Sequence, residues 1–94
     1  MPVYRITEFT SPDMDKAIEF CETLREEVAA AQAESIDVIS IGDGKGMVIA
    51  KYANMESMEN ATDINKQAFG KLVAGGHADG ASISMTSGDV VFSF

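Results

Sequence analysis

The sequence is poor in the residue types that build most recognisable active sites. It holds one cysteine, one histidine and no tryptophan. A single thiol, Cys21, excludes an internal disulfide and any zinc site built on cysteines. One histidine, with no spaced carboxylate motif beside it, leaves no metal-ligand pattern, so neither a metal nor another cofactor is expected. Bases are also scarce: seven Lys and Arg stand against fifteen Asp and Glu, a formal charge of −8. This acidic field repels phosphate and no basic cluster offsets it, which argues against nucleic acid and anionic membranes as partners. No apolar run reaches the length of a membrane span, and no basic-then-apolar leader opens the chain. A lone thiol agrees with a reducing compartment, so the expected location is the cytoplasm, without processing.

What the chain has is apolar strands. Hydrophobic residues make up 46% of the 94 positions, the composition of an ordinary globule, and the length predicts a single domain over 1–94. Val3-Tyr4-Arg5-Ile6-Thr7-Glu8-Phe9 reads as the first strand, with Val3, Arg5, Thr7 and Phe9 on one face. Ile36 to Ile41 and Met47 to Tyr52 flank Gly42-Asp43-Gly44-Lys45-Gly46, and Asp-Gly between two β-rich runs is a strong hairpin signal. Neither arm alternates apolar with polar, so both faces of the hairpin are expected to be buried. Val90 to Phe94 reads as the last strand, with a weaker alternation over Ser82 to Met85 that could add a short edge strand.

Two helical segments lie between these strands. Ser11 as cap, Pro12 at the first helical position and Asp13 with Asp15 at the positive end predict a helix over 12–32. Its apolar stripe is Met14, Ala17, Ile18, Cys21, Leu24 and Val28, and its acids lie largely on the solvated side. A second helix over 55–74 is capped by Asn54 and stopped by Gly75-Gly76. Met58, Ala61, Asn65, Ala68, Phe69 and Leu72 share one of its faces, while Thr62 and Gly70 predict a kink or break. The order β-α-β-β-α-β is a split pair of right-handed βαβ units: an α+β ferredoxin-like sandwich with both helices on one face of a four-stranded antiparallel sheet. Its first and third strands are central. The other sheet face, apolar and uncovered by this chain, asks for a second copy of the protein.

The layout resembles the dimeric α+β-barrel superfamily, which includes antibiotic-biosynthesis monooxygenase-type proteins. The residues that carry the likeness are Tyr4-Arg5-Ile6-Thr7-Glu8-Phe9, the hairpin return Gly46-Met47-Val48-Ile49-Ala50-Lys51-Tyr52, Met55-Glu56-Ser57-Met58-Glu59 and Gly88-Asp89-Val90-Val91-Phe92. The resemblance implies an intracellular homodimer formed through the open sheet face, with a small apolar pocket in each subunit between sheet and helices. It leaves the activity open, because the superfamily spans cofactor-independent oxygenases, haem-degrading enzymes, lactone isomerases and members with no known activity. With no Trp and one His, this chain departs from the haem-degrading pattern.

Five residues stand out as site candidates, each against a plainer role. His77, in the Gly-rich segment 75–80, could shuttle a proton or ligate haem iron at a pocket mouth, with Asp79 to orient it; the plain alternative is an exposed loop histidine. Arg5 places a charge in a central strand, either to grip a ligand carboxylate or phenolate or to close a salt bridge across the sheet or a dimer interface. Tyr4 and Tyr52 could donate hydrogen bonds from apolar walls, or simply pack. Asn65 is polar on an apolar stripe, and either aims an amide into the pocket or marks a broken helix. Cys21, on the other stripe, reads as a small core hydrophobe. Gly42-x-Gly44-x-Gly46 leads into a strand rather than a helix N-terminus, so it is a hairpin turn and not a phosphate loop. The expected function is a monooxygenase-like enzyme or binder acting on a small apolar or aromatic molecule. The alternative is a non-catalytic dimeric interaction module with a vestigial pocket.

Overall fold

The computed structural model describes all residues from Met1 to Phe94. Four strands, β1 (Val3–Thr10), β2 (Ser35–Gly42), β3 (Lys45–Tyr52) and β4 (Ser84–Asp89), form one antiparallel sheet in the order β2-β3-β1-β4. Four helices complete it: α1 (Met14–Glu22), α2 (Arg25–Ala29), α3 (Met55–Asn60) and α4 (Thr62–Ala74). This is the ferredoxin-like α+β fold, with β1 and β3 central. No helix is long and apolar enough to cross a membrane.

The β2–β3 hairpin closes where Asp-Gly requires it. Asp43 and Gly44 have φ of 56° and 74°, both central residues in the left-handed region, which suits the twist of the flanking strands. Gly46 lies opposite Phe9 in the register, and a Cβ there would come within 2.5 Å of the Phe9 ring. The bare backbone is what lets that ring lie flat on β3.

Both long helices are broken. The first begins later than the sequence suggests: Asp13, not Ser11, caps α1 by accepting from Lys16 N, because Ser11 is tied to the hairpin through its N–H to Gly44 O at 2.7 Å. It also ends early. Thr23 Oγ1 donates to Phe20 O at 2.6 Å while Thr23 N and Leu24 N bond three residues back, a tightened turn that separates α1 from α2. The second helix breaks at Ala61–Thr62, next to the β-branched residue that predicted it, and Asn54 caps α3 through Ser57 N at 2.8 Å.

Two expectations are corrected. The last strand is Ser84–Asp89 and not Val90–Phe94. Asp79 N bonds to Thr10 O and Thr10 N to Ser82 Oγ, both at 2.9 Å, so pairing starts at the far end of β1 with Glu8↔Ser84 and reaches Val3↔Asp89. After Val90 N bonds to Pro2 O, β1 has no residues left to pair with. The apolar tail overhangs the sheet, with Val91 87% and Phe92 71% exposed. The second correction concerns the inward face of β2, which is covered only in part: Ile36 is half-buried against the core and Val38 is 36% exposed. The helices pack over β1 and β3 and stop short of it.

The core is split. Val3, Ala50, Tyr52, Met58 and Ala61 pack with Ala31 at one end, while Phe9, Leu24, Ala68, Leu72 and Ala78 pack at the other. The inward face of β1 therefore reads apolar, polar, polar, apolar: Val3 and Phe9 anchor the two clusters, and Arg5 and Thr7 lie between them.

Candidate functional site

Between the two clusters lies a pocket of about 470 Å³, within the range of small-molecule sites. Its floor is Arg5 and Thr7 of β1 with Val48 and Ala50 of β3; its roof is Cys21 and Leu24 on one side and Asn65, Ala68 and Phe69 on the other. Ile36 and Val38 of the uncovered β2 flank its open side. Fourteen of its twenty lining residues are hydrophobic, so a bound molecule would meet mostly apolar surface and a few polar groups.

Arg5 is the most unusual of those groups. It is 9% exposed. Its Nη2 donates to Thr62 Oγ1 at 3.0 Å, and Thr62 Oγ1 in turn donates to Met58 O at 3.3 Å. Nε and Nη1 are buried with no acceptor. The salt bridge that a strand-borne arginine predicts is absent: the ion pairs of the chain join Arg25 to Glu22, Lys51 to Glu34 and Lys71 to Glu27. Two acids border the pocket without reaching the guanidinium. Glu22 is held in a bidentate contact by Arg25 at 2.6 and 2.8 Å, and the hydrogen bond and charge of Arg25 keep its carboxyl below the usual carboxylate range. Asp37 pairs with Ile49 in the sheet register, which puts its side chain on the opposite face.

Asn65 and Tyr52 form the second polar feature. Asn65 lines the pocket, and its Nδ2 donates to the Tyr52 hydroxyl at 2.7 Å. Tyr52 itself is fully buried in the first core cluster. Cys21 also borders the pocket; burial pushes its thiol up, and the adjacent Glu22 carboxylate adds to the shift.

The structure thus brings Arg5, Asn65 and, through Asn65, Tyr52 to one place. It sets the other two candidates apart. Tyr4 projects from the opposite sheet face, where the Lys51 ammonium lies 6.0 Å from its ring centre. His77 is half-buried and stacks on Phe20 with ring centres 4.7 Å apart, away from the pocket lining. No group of three or more His, Cys, Asp or Glu side chains is arranged to hold a metal ion. Thr62, which the sequence marks only as a helix breaker, turns out to hold the guanidinium. Its signal was present: a Thr opening a helix that faces a strand arginine.

No protein-family model matches the chain, and no curated protein does. Solved structures match over nearly the full length. SnoaB, a cofactor-independent oxygenase from Streptomyces nogalater, superposes with a TM-score of 0.71 at 12% identity, covering 98% of this chain and 95% of that one. A dimeric ferredoxin-like protein from an uncultured marine organism gives 0.70 at 15% identity, with 100% and 98% covered. MhuD, in a mutant structure with two manganese protoporphyrin IX molecules bound per active site, gives 0.72 at 14% identity, with 98% and 97% covered. The fold is that of these proteins and of antibiotic-biosynthesis monooxygenase-type proteins.

Proposed function

We propose that this chain is a homodimeric, monooxygenase-like small-molecule protein that takes an apolar or aromatic molecule between its sheet and helices. The pocket is the observation that carries this reading: about 470 Å³ of mostly apolar walls with Arg5 and Asn65 as the polar fixtures. The cofactor-independent oxygenase among the structural neighbours makes oxygenation the reaction class to assay first. The placement of the ionisable groups favours binding without turnover as the second reading. The histidine stacks outside the pocket, the Glu22 carboxylate is engaged by Arg25, and the Cys21 thiol is shifted away from its reactive thiolate.

The homodimer rests on the open sheet face. Tyr4, Ile6, Ile39, Met47 and Ile49 share it by register, and the overhanging Val91, Phe92 and Phe94 continue the apolar surface. An apolar surface left open in this way supports an interface, and the matched ferredoxin-like protein is described as dimeric. Location in the cytoplasm stays part of this proposal, as does a single domain over 1–94.

Calorimetric titration with 1-naphthamide, a neutral aromatic probe, tests the pocket. One site per chain is expected, lost in Val48→Trp, which fills the floor while circular dichroism confirms the fold. No binding of this probe or of its carboxylate analogue, 1-naphthoate, to the unmodified protein overturns the reading, as does binding that Val48→Trp leaves intact. Oxygen uptake with 1-naphthol then separates the two readings: consumption above the protein-free rate supports an oxygenase, and its absence supports a binder.

A further inference from the structure

We propose that the molecule bound in this pocket carries an anionic oxygen group (carboxylate, phenolate or enolate) and that Arg5 is the residue that receives it. The inference rests on the pocket reading above and adds the chemistry of the ligand's polar end. A guanidinium offers five N–H donors and no acceptor. Here one nitrogen, Nη2, is met by a neutral hydroxyl, and the three hydrogens on Nε and Nη1 have no acceptor at all. Buried cations are otherwise paired, because withdrawing the charge from water without compensation is expensive. This one sits on the floor of a cavity, is joined to no carboxylate, and is tied by Thr62 to the start of α4.

The geometry selects an oxyanion over other partners. Each bidentate edge of the planar fork pairs Nη2 with either Nε or Nη1; Thr62 takes one Nη2 hydrogen, which leaves one such edge to match two oxygens of a carboxylate and a further single donor beside it. Thr7 and Asn65, which share the lining with Arg5, are neutral, and the Glu22 carboxylate at the pocket's border is paired with Arg25, so neither that acid nor that second cation is free to compete for the site. The net charge of −8 repels anions at long range, but salt screens that field over about 8 Å. A desolvated contact on the pocket floor is not screened in this way. The apolar walls then exclude a free inorganic anion in favour of an organic one, whose body buries against Leu24, Val48 and Phe69.

The test compares 1-naphthoate with 1-naphthamide, which share the ring and a planar head group but differ in its charge and in one acceptor oxygen exchanged for an NH2, by calorimetry against the full chain. The naphthoate is expected to bind at least tenfold more tightly. In Arg5→Met that advantage disappears, with the naphthoate binding no more tightly than the naphthamide, and Arg5→Lys, which keeps the charge but loses the fork, retains part of it. Removing an unpaired buried cation also raises the melting temperature of the unliganded protein in Arg5→Met. Equal affinities in the unmodified protein, or a naphthoate preference that survives Arg5→Met, overturn the inference and leave the pocket reading standing. A failure of both probes to bind overturns the pocket reading and this inference together. A fall in melting temperature for Arg5→Met shows that the guanidinium is a structural fixture and overturns the inference on its own.

Discussion

Asn65 Nδ2 donates to the Tyr52 hydroxyl at 2.7 Å, joining a residue of the pocket roof to one sealed in the core. The two ends of this bond are not equivalent. In Tyr52→Phe the amide loses a partner but still faces the pocket, where water can reach it, so the cost is about 1 kcal/mol, or roughly 4–8 °C in Tm for a chain of this size. In Asn65→Leu a phenolic hydroxyl is left unmet in a closed cluster, which costs about 1–3 kcal/mol. Urea melts of both single variants and the double variant should show Asn65→Leu as the more destabilising, with most of its cost relieved once Tyr52→Phe is added. Equal costs would place water at the Tyr52 oxygen.

The same argument applies to Thr62. Thr62→Val keeps the shape but removes the one acceptor that Arg5 has and the link to Met58 O. A hydrogen bond to a charged group is at stake, so a loss of about 1.5–3 kcal/mol is expected. Combining Thr62→Val with Arg5→Met should return most of it, since no cation then remains to be satisfied. Chemical denaturation of the four proteins of the cycle measures the coupling, and additive effects would mean that the two residues act independently.

How far the sequence discloses this site depends on which contacts are local. The inward face of β1, Val3-x-Arg5-x-Thr7-x-Phe9, is readable from period-two alternation alone, and so are the stripes through Cys21 and Leu24 and through Asn65 and Ala68. These are intrinsic to one element. The hairpin turn at Asp43–Gly44 is local as well. The last strand is not: Ser84 to Asp89 is more polar than Val90 to Phe94, and its pairing is decided by where Asp79 and Ser82 fasten to Thr10. Propensity points to the apolar run, but register leaves that run beyond the end of β1. The exposure of β2 is likewise hidden, because it depends on how far the helices extend over the sheet. His77 shows the limit in the other direction. Being the only histidine made it conspicuous, yet its stacking on Phe20 follows from the path of a loop that no pattern encodes.

Cys21 gives a prediction about pH. Burial, and then the Glu22 carboxylate, raise its thiol above the ordinary value, so the folded protein favours the protonated form more than the unfolded chain does. The stability tied to this preference is fully present at neutral pH and is lost as pH rises past the ordinary thiol range and through the raised value. Labelling with 5,5′-dithiobis(2-nitrobenzoate) at neutral pH should therefore be slower than for free cysteine and should accelerate with pH. Because Cys21 borders the pocket, 1-naphthamide should slow it further. Labelling as fast as free cysteine at neutral pH would contradict the burial of the thiol.

The overhanging tail bears directly on assembly. Val91, Phe92 and Phe94 project beyond the sheet, with Phe92 and Phe94 edge to face at 4.8 Å, and they adjoin the open face that carries Ile6 and Ile49. If a second copy covers that face, the tail is part of the seal. Phe92→Asp and Ile49→Asp each place a carboxylate where an apolar contact would form, and desolvating it without a partner opposes association. Light scattering at micromolar concentration should give a dimer for the unmodified protein and a monomer for Ile49→Asp, with Phe92→Asp weakened towards the monomer. Because the contact is apolar, high salt should leave the dimer intact, whereas an assembly held by surface ion pairs such as Lys51 with a partner acid would dissociate. A monomer in the unmodified protein would leave the sheet's apolar face without an occupant and remove the homodimer from the proposal, while the pocket, built within one chain, would stand.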